Sequence, residues 1–280
     1  MKKDGTIDRI RVYPSPNPNV HLKEITYWSC GLRIKGMLAY PIKEENYDGM
    51  LYCRGGIQGV GMVRPARIAQ FASQGLVVFA PYYRGNRGGE GRDEFGGEDR
   101  WDAVYAVDVL KQFCNPDKVH LFAFSRGGMM ALWTAVIRED ISSLVSWAGV
   151  SDIYLTYEER LDMRRMMKRV IGGTPSNREE EYEGRNVLNQ IEEIHAPVLI
   201  IHGREDVNVS IEHAKVLEQA LIGYNKIVET WYYPDFTHYF PSKVNRQVVK
   251  DVCFWMKKHI MFMIICLLLC TFAELCRQNV

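Results

Sequence analysis

A mostly parallel, doubly wound α/β sheet is the fold this sequence predicts, and two observations predict it. Short, continuously apolar runs recur at residues 50–53, 76–80, 119–124, 144–148, 198–202 and 228–233. Strands covered on both faces lose the polar alternation of a half-exposed sheet, so such runs mark buried parallel strands. Between them lie segments of helical period, residues 64–73, 101–113, 126–138, 211–222 and 242–259, which completes a βαβ series. A chain of 280 residues with 47% apolar side chains can bury the large core that such a sheet requires.

Taken in order, the chain opens with an extended lead-in over residues 1–19, because Pro14, Pro16 and Pro18 each block helix at their own and the preceding position. The ordered domain is expected from Val20 to His259. Residues 24–28 and 34–40 are β-prone and separated by a turn containing Gly31, which reads as a hairpin. The charged segment 152–193 falls between two predicted strands and is too long for an ordinary loop, so it reads as a helical cap insertion. Within it Met163, Met166, Met167, Val170 and Ile171 share one helix face, and Arg164, Arg165, Lys168 and Arg169 take the other positions. That helix either packs its methionines on the body or lines a pocket with them, its arginines then meeting a substrate carboxylate.

Composition excludes several classes. Lysine plus arginine number 35 and aspartate plus glutamate 34, so a net charge of +1 offers no electrostatic footprint for nucleic acid. Seven scattered cysteines form no disulfide framework, and the first twenty residues contain no apolar signal core, which together read as a cytoplasmic protein. Residues 84–99 carry arginines at 84, 87 and 92 against acids at 90, 93, 94, 98 and 99, so they make no cationic patch. They read as a mobile loop near a site or a self-compensating surface loop.

The chemistry enters at VHLFAFSRGGMMA, where an apolar strand runs through Ser125 straight into a helix. A serine on so tight a turn projects its hydroxyl at the carboxyl edge of the sheet, provided the residues two before and two after it are small. Ala123 and Gly127 meet that condition, with alanine in place of the usual first glycine. A serine needs a base and an acid later in the chain, in the order Ser, Asp, His. Asp206 follows the strand ending at Gly203, and His238 lies on the loop after the next strand. Both loops leave strand carboxyl ends, where open α/β sheets hold ligands. Glu205 and Asp235 are the alternative acids. Among the other histidines, His120 and His202 fit buried strand positions, whereas His21, His195 and His213 fit surface or segment ends. The glycine loop over residues 52–61 threads neither dinucleotide nor phosphate-loop spacing, so no nucleotide cofactor is expected, and Cys266 and Cys270, without histidines or further paired cysteines, predict no metal site. The backbone N–H of Arg126 and one from the glycine loop over residues 52–61 are the candidate oxyanion donors.

From about Val20 to His259 the chain resembles the catalytic domain of the prolyl oligopeptidase family of α/β-hydrolases. The resemblance rests on the Gly55-Gly56 loop, PYYRGNRGGEG, FSRGG, GVSD, GGTP, PVLIIHGREDVNV and YYPDFTHYF, in that order. It implies an α/β-hydrolase fold with Ser125, Asp206 and His238 as triad and backbone at Gly56 and Arg126 as oxyanion hole. Arg54 stands where relatives often have histidine or tyrosine. The twenty residues before the domain leave no room for the β-propeller that peptidases of this family carry.

The expected activity is serine hydrolysis of small peptides or aminoacyl compounds, with a carboxylesterase on small acyl esters as alternative. A non-catalytic hydrolase-fold interaction protein is the other class considered. Residues 260–280 form an apolar tail whose fourteen-residue core, at about 1.5 Å per residue, falls short of the ~30 Å needed to span a bilayer. A packed helix, an interfacial membrane contact, a dimer patch or a shifted reading frame would each account for it. The sequence sets no oligomeric state.

Overall fold

The computed structural model describes residues 2–258, so His259 and the apolar tail 260–280 lie outside the described residues. The strands are β1 (Ile7–Tyr13), β2 (Val20–Ser29), β3 (Leu32–Pro41), β4 (Asp48–Cys53), β5 (Leu76–Pro81), β6 (Asn115–Phe124), β7 (Ser143–Trp147), β8 (Val198–Gly203) and β9 (Val228–Tyr233). They form one nine-stranded sheet in the order β1-β2-β3-β5-β4-β6-β7-β8-β9. From β5 to β9 across the sheet all neighbours are parallel, while β1, β2 and β3 join antiparallel at one edge. The buried runs of β5, β7 and β8 are fully covered along their length, as continuous apolarity demands.

Helices cover both faces. On one, α2 (Arg100–Leu110), α3 (Gly127–Ile137) and α7 (Ile211–Gly223) pack with Leu51, Leu121, Leu144 and Ile200. On the other, α1 (Pro65–Ala72) and a C-terminal helix over 242–258 pack with Phe122, Val145, Trp147 and Ile201. Between β7 and β8 the chain makes α4 (Ile153–Glu159), α5 (Arg164–Ile171), α6 (Glu179–Glu183) and a 3-10 turn (Val187–Glu193). This cap has a small core of its own. Met167 and Ile171 of α5 are buried with Phe95, Met129, Val150, Ile153, Tyr182 and Val209, and Met163, Met166 and Val170 pack partly against them. We number the helix over 242–258 α8.

One expectation is corrected. The ordered chain starts before Val20, because Ile7–Tyr13 is a strand paired with β2 from Ile7 opposite Tyr27 to Tyr13 opposite Leu22. The prolines are confined to the connection between β1 and β2, where a missing N–H costs no ladder bond. They forbid helix without forbidding the strand before them. Among the described residues Cys30, Cys53, Cys114 and Cys253 are free. No helix of these residues is long and apolar enough to cross a membrane.

The core beneath the site is aromatic. Phe122 is fully buried, its ring 5.1 Å from Tyr52, 4.7 Å from Phe71 and 6.2 Å from Trp147. Replacing it by alanine removes that packing and leaves a cavity, so Phe122→Ala is expected to lose about 3–5 kcal/mol in chemical denaturation. A loss below about 1 kcal/mol would mean that the floor rearranges to fill the gap.

Candidate active site

Ser125 is the last residue before the N-cap of α3 and has φ of 58°, a left-handed conformation that costs an L side chain of order 1 kcal/mol or more. Three backbone bonds hold it there: its N–H donates to Trp147 O at 3.2 Å, and its carbonyl accepts from Gly128 and Val150 at 2.9 Å each. The turn is possible because α3 starts against β4. A β-carbon at Gly127 would lie 2.1 Å from Cys53 O, so no other residue fits there. Two residues upstream, the methyl of Ala123 is absorbed in the core beside α3, which explains why alanine serves in place of glycine.

The acid and the histidine arrive on neighbouring loops after β8 and β9. A β-carbon at Gly203 would lie 2.0 Å from Phe236 O, so glycine at this strand end lets the two loops touch. His238 is buried, and its Nδ1 lies 2.7 Å from Asp206 Oδ2. A carboxylate only accepts, so Nδ1 carries a hydrogen in this contact. The other oxygen of Asp206 accepts from the N–H groups of Asn208 at 2.8 Å and Val209 at 3.0 Å. Burial pushes the Asp206 carboxyl up, but the hydrogen bond and charge of His238 and these two amides outweigh it, and the net shift is downward. Glu205 and Asp235 are exposed. Ser125 and His238 line the same pocket, of about 960 Å³, together with Gly55, Gly56, Met163 and Met166.

Gly55 stands against Ser125, where a β-carbon on it would overlap that of the serine, and Gly56 turns against Val60 and Gly61. What holds this loop was not legible in the sequence. Arg54 and Arg126 are both almost fully buried, with guanidinium carbons 5.1 and 5.3 Å from the ring of Tyr83. Arg54 donates through Nη1 to Gly55 O at 2.9 Å, and Arg126 through Nη1 to Gly56 O at 2.8 Å. Their charges are met by the 84–99 loop. Arg126 pairs with Asp93 at 2.7 Å and Asp99 at 2.5 Å, and Arg54 reaches Asp93 at 3.4 Å. That loop is therefore neither a surface loop nor mobile cover: Arg84, Asn86, Asp93 and Asp99 are buried in it. Its charges do compensate, but against arginines elsewhere in the chain, which counting within the loop cannot reveal.

His120 and His202 are buried as expected, His120 bonded to Ser143 Oγ at 2.7 Å and His202 donating from Nε2 to Val209 O at 2.8 Å. His213 is not at the surface. It is buried, accepts from the N–H groups of Ser151 and Asp152, and burial lowers its pKa to about 3. Among the described residues no group of His, Cys, Asp and Glu side chains is placed to hold a metal ion.

Residues 62–262 match the prolyl oligopeptidase family. The chain belongs to that family. It is a serine hydrolase of the peptidase kind. Over 250 residues, 88% of this chain and 97% of the other, it is 58% identical to the uncharacterized peptidase YtmA of Bacillus subtilis. Among solved structures it is similar to the acylaminoacyl peptidase of Pyrococcus horikoshii, with a TM-score of 0.71 at 20% identity over 89% of this chain and 42% of that one. It is also similar to an acetyl xylan esterase from Paenibacillus sp. R4, with a TM-score of 0.70 at 16% identity over 87% of each chain. Every strand described in this member of the family belongs to the one hydrolase sheet.

Two outcomes follow for this family member. Removing Asp93 strands Arg54 and Arg126 without their shared counter-charge, so Asp93→Ala is expected to cost about 3–5 kcal/mol of stability in urea unfolding. Asp206 has its folded pKa below its unfolded value, so its stabilisation is complete above the ordinary aspartate range and fades as pH falls through it. The Tm advantage of the native protein over Asp206→Asn should therefore shrink on going from about pH 6 to about pH 3. A constant gap across that range would contradict the ionised state assigned here.

Proposed function

We propose that Ser125 is the nucleophile, His238 its general base and Asp206 the group that orients and stabilises the imidazolium, with the N–H groups of Gly56 and Arg126 as oxyanion donors. The observation that carries this reading is the 2.7 Å contact between His238 Nδ1 and Asp206 Oδ2 beside a strained Ser125 in one pocket. His238 Nε2 takes the Ser125 proton as Oγ attacks the carbonyl carbon. The tetrahedral oxyanion then collapses, the leaving group departs with the proton from Nε2, and water releases the acyl group by the same steps in reverse. Arg54 supports the oxyanion reading indirectly. A trans peptide points its C=O and N–H in opposite directions, so a guanidinium on Gly55 O fixes the direction of the Gly56 N–H.

The substrates in this reading are small peptides or aminoacyl compounds, cleaved without cofactor in the cytoplasm, where the four cysteines among the described residues stay reduced. A carboxylesterase on small acyl esters is the second reading, and the similarity to an acetyl xylan esterase over 87% of each chain is the observation that favours it.

An anilide and an ester substrate separate these, with Ser125→Ala as the blank. That variant is expected to abolish labelling by a fluorophosphonate and to lower kcat/KM for an aminoacyl p-nitroanilide at least about a thousandfold. Labelling that persists in the variant would remove Ser125 from the mechanism. Turnover of p-nitrophenyl esters with no anilide turnover would decide for the esterase.

A further inference from the structure

Charge in the pocket narrows the substrate further. None of the α5 arginines lines it, and Arg164 donates back to the carbonyls of Tyr157 and Glu158. The pocket is lined instead by Arg64, Arg67, Arg126 and Arg160, with Asp162 as the one acid among the lining residues. Two of these cations are already answered. Arg126 has Asp93 and Asp99, and Arg160 grips Asp162 through Nε at 2.9 Å and Nη2 at 2.8 Å. Arg64 and Arg67 have no carboxylate partner among the described residues.

Arg67 is held without being neutralised. Its guanidinium carbon lies 4.8, 5.9 and 5.5 Å from the ring centroids of Phe71, Phe122 and Trp147, so one face rests on the aromatic floor. Nη1 donates to Gln70 Oε1 at 2.9 Å and Asn245 Oδ1 at 2.7 Å, both uncharged amides. Its planar fork is thus oriented, with its charge left for an anion from the pocket. Arg64, exposed three residues earlier at the N-cap of α1, adds a second positive charge at the same wall.

That wall lies on the side of the proton donor. The loop bearing His238 runs on through buried Phe240 into α8, whose Asn245 accepts from Arg67. Met163, Met166 and Val150, which also line the pocket, belong to the core of the cap. Because His238 must protonate the departing amine, the leaving group lies toward the α1 and α8 wall.

Resting on the reading of Ser125 as nucleophile, we propose that Arg67, aided by Arg64, binds a carboxylate on the leaving-group side of the scissile bond, so that the preferred substrates are short peptides cleaved near a free C-terminus. An aspartate or glutamate side chain at the same place would offer the same chemistry, and the test distinguishes the two.

The experiment compares acetylated oligo-alanine peptides ending in alanine, in alaninamide or in glutamamide, with kcat/KM read by product chromatography. The free acid is expected to be cleaved at least about tenfold faster than the alaninamide, in line with one charge-assisted contact. Arg67→Met, which keeps a stem to cover the aromatic floor, should collapse that ratio to near one. Arg64→Gln, an exposed change with no partner to strand, should lower it about twofold to threefold. Raising salt should lower the ratio in the native protein. Glutamamide cleaved as fast as the free acid would assign the site to an acidic side chain while keeping the carboxylate site. Equal rates for acid and both amides, a ratio untouched by both variants, or no peptide turnover would overturn the proposal. In that last case Ser125-dependent phosphonate labelling reports separately whether the nucleophile stands.

Discussion

The guanidinium of Arg126 is the interaction on which the site's shape depends. It sits immediately after Ser125 in the chain, yet its side chain reaches away from the solvent to Asp93, Asp99 and the carbonyl of Gly56. Three segments distant in sequence are thereby fixed to one another: the serine turn, the glycine loop after β4 and the loop between β5 and α2. With Arg54 and Asp93 the cluster is close to electroneutral, which is the condition under which buried charges are tolerated. Burial pushes Asp99 upward, and Arg126 opposes that push. Deleting any member leaves the remainder charged in a poorly solvated place, so the four side chains stand or fall together.

This neutrality bears on catalysis. In the proposed mechanism, an unmatched arginine one residue from Ser125 would stabilise any nearby anion, ground state and transition state alike, and would bind without accelerating. Matched by two aspartates, Arg126 contributes its side chain as a brace, and in the proposed mechanism electrostatic stabilisation is left to backbone N–H groups fixed in direction. Such donors need no reorganisation as charge develops. The backbone strain at Ser125 fits the same scheme. The residue is held in a left-handed conformation by three main-chain bonds and by a glycine that brings α3 onto β4.

How much of this could be read from residues alone follows from the range of each interaction. The parallel strands were legible because burial on both faces writes itself into consecutive positions, and Ser125, Asp206 and His238 were legible because each follows a strand end in a set order. The β1 strand was missed because its prolines lie just beyond it and suggested an unpaired lead-in. His213 was placed at a segment end, which is true along the chain, but that end is packed under the turn at Ser151. The arginine and aspartate cluster had no local signature. Arg54 and Asp93 are 39 residues apart and meet only because β4 and β5 are neighbours. Charge counting within a loop treats such residues as surface, and only the unusual position of Arg54 directly after a buried strand hinted otherwise.

The pocket divides between two bodies of packing, and that division orders its chemistry. One wall and the floor belong to the sheet core, where Phe122, Trp147 and α1 hold Arg67 in place. The other wall belongs to the small cap core around Met167 and Tyr182, which meets the body through Met129, Val150 and Val209. Methionines facing the pocket from the cap can repack around side chains of different shape, since the thioether has low torsional preference and high polarisability. An arginine seated on aromatic rings cannot. In the proposed reading, a rigid charged anchor on one side and an adaptable apolar surface on the other make a site selective for a terminus and permissive toward the residue at the scissile bond. In that arrangement, changes in the cap alter which side chain is accepted without disturbing Ser125, His238 or the braces beneath them.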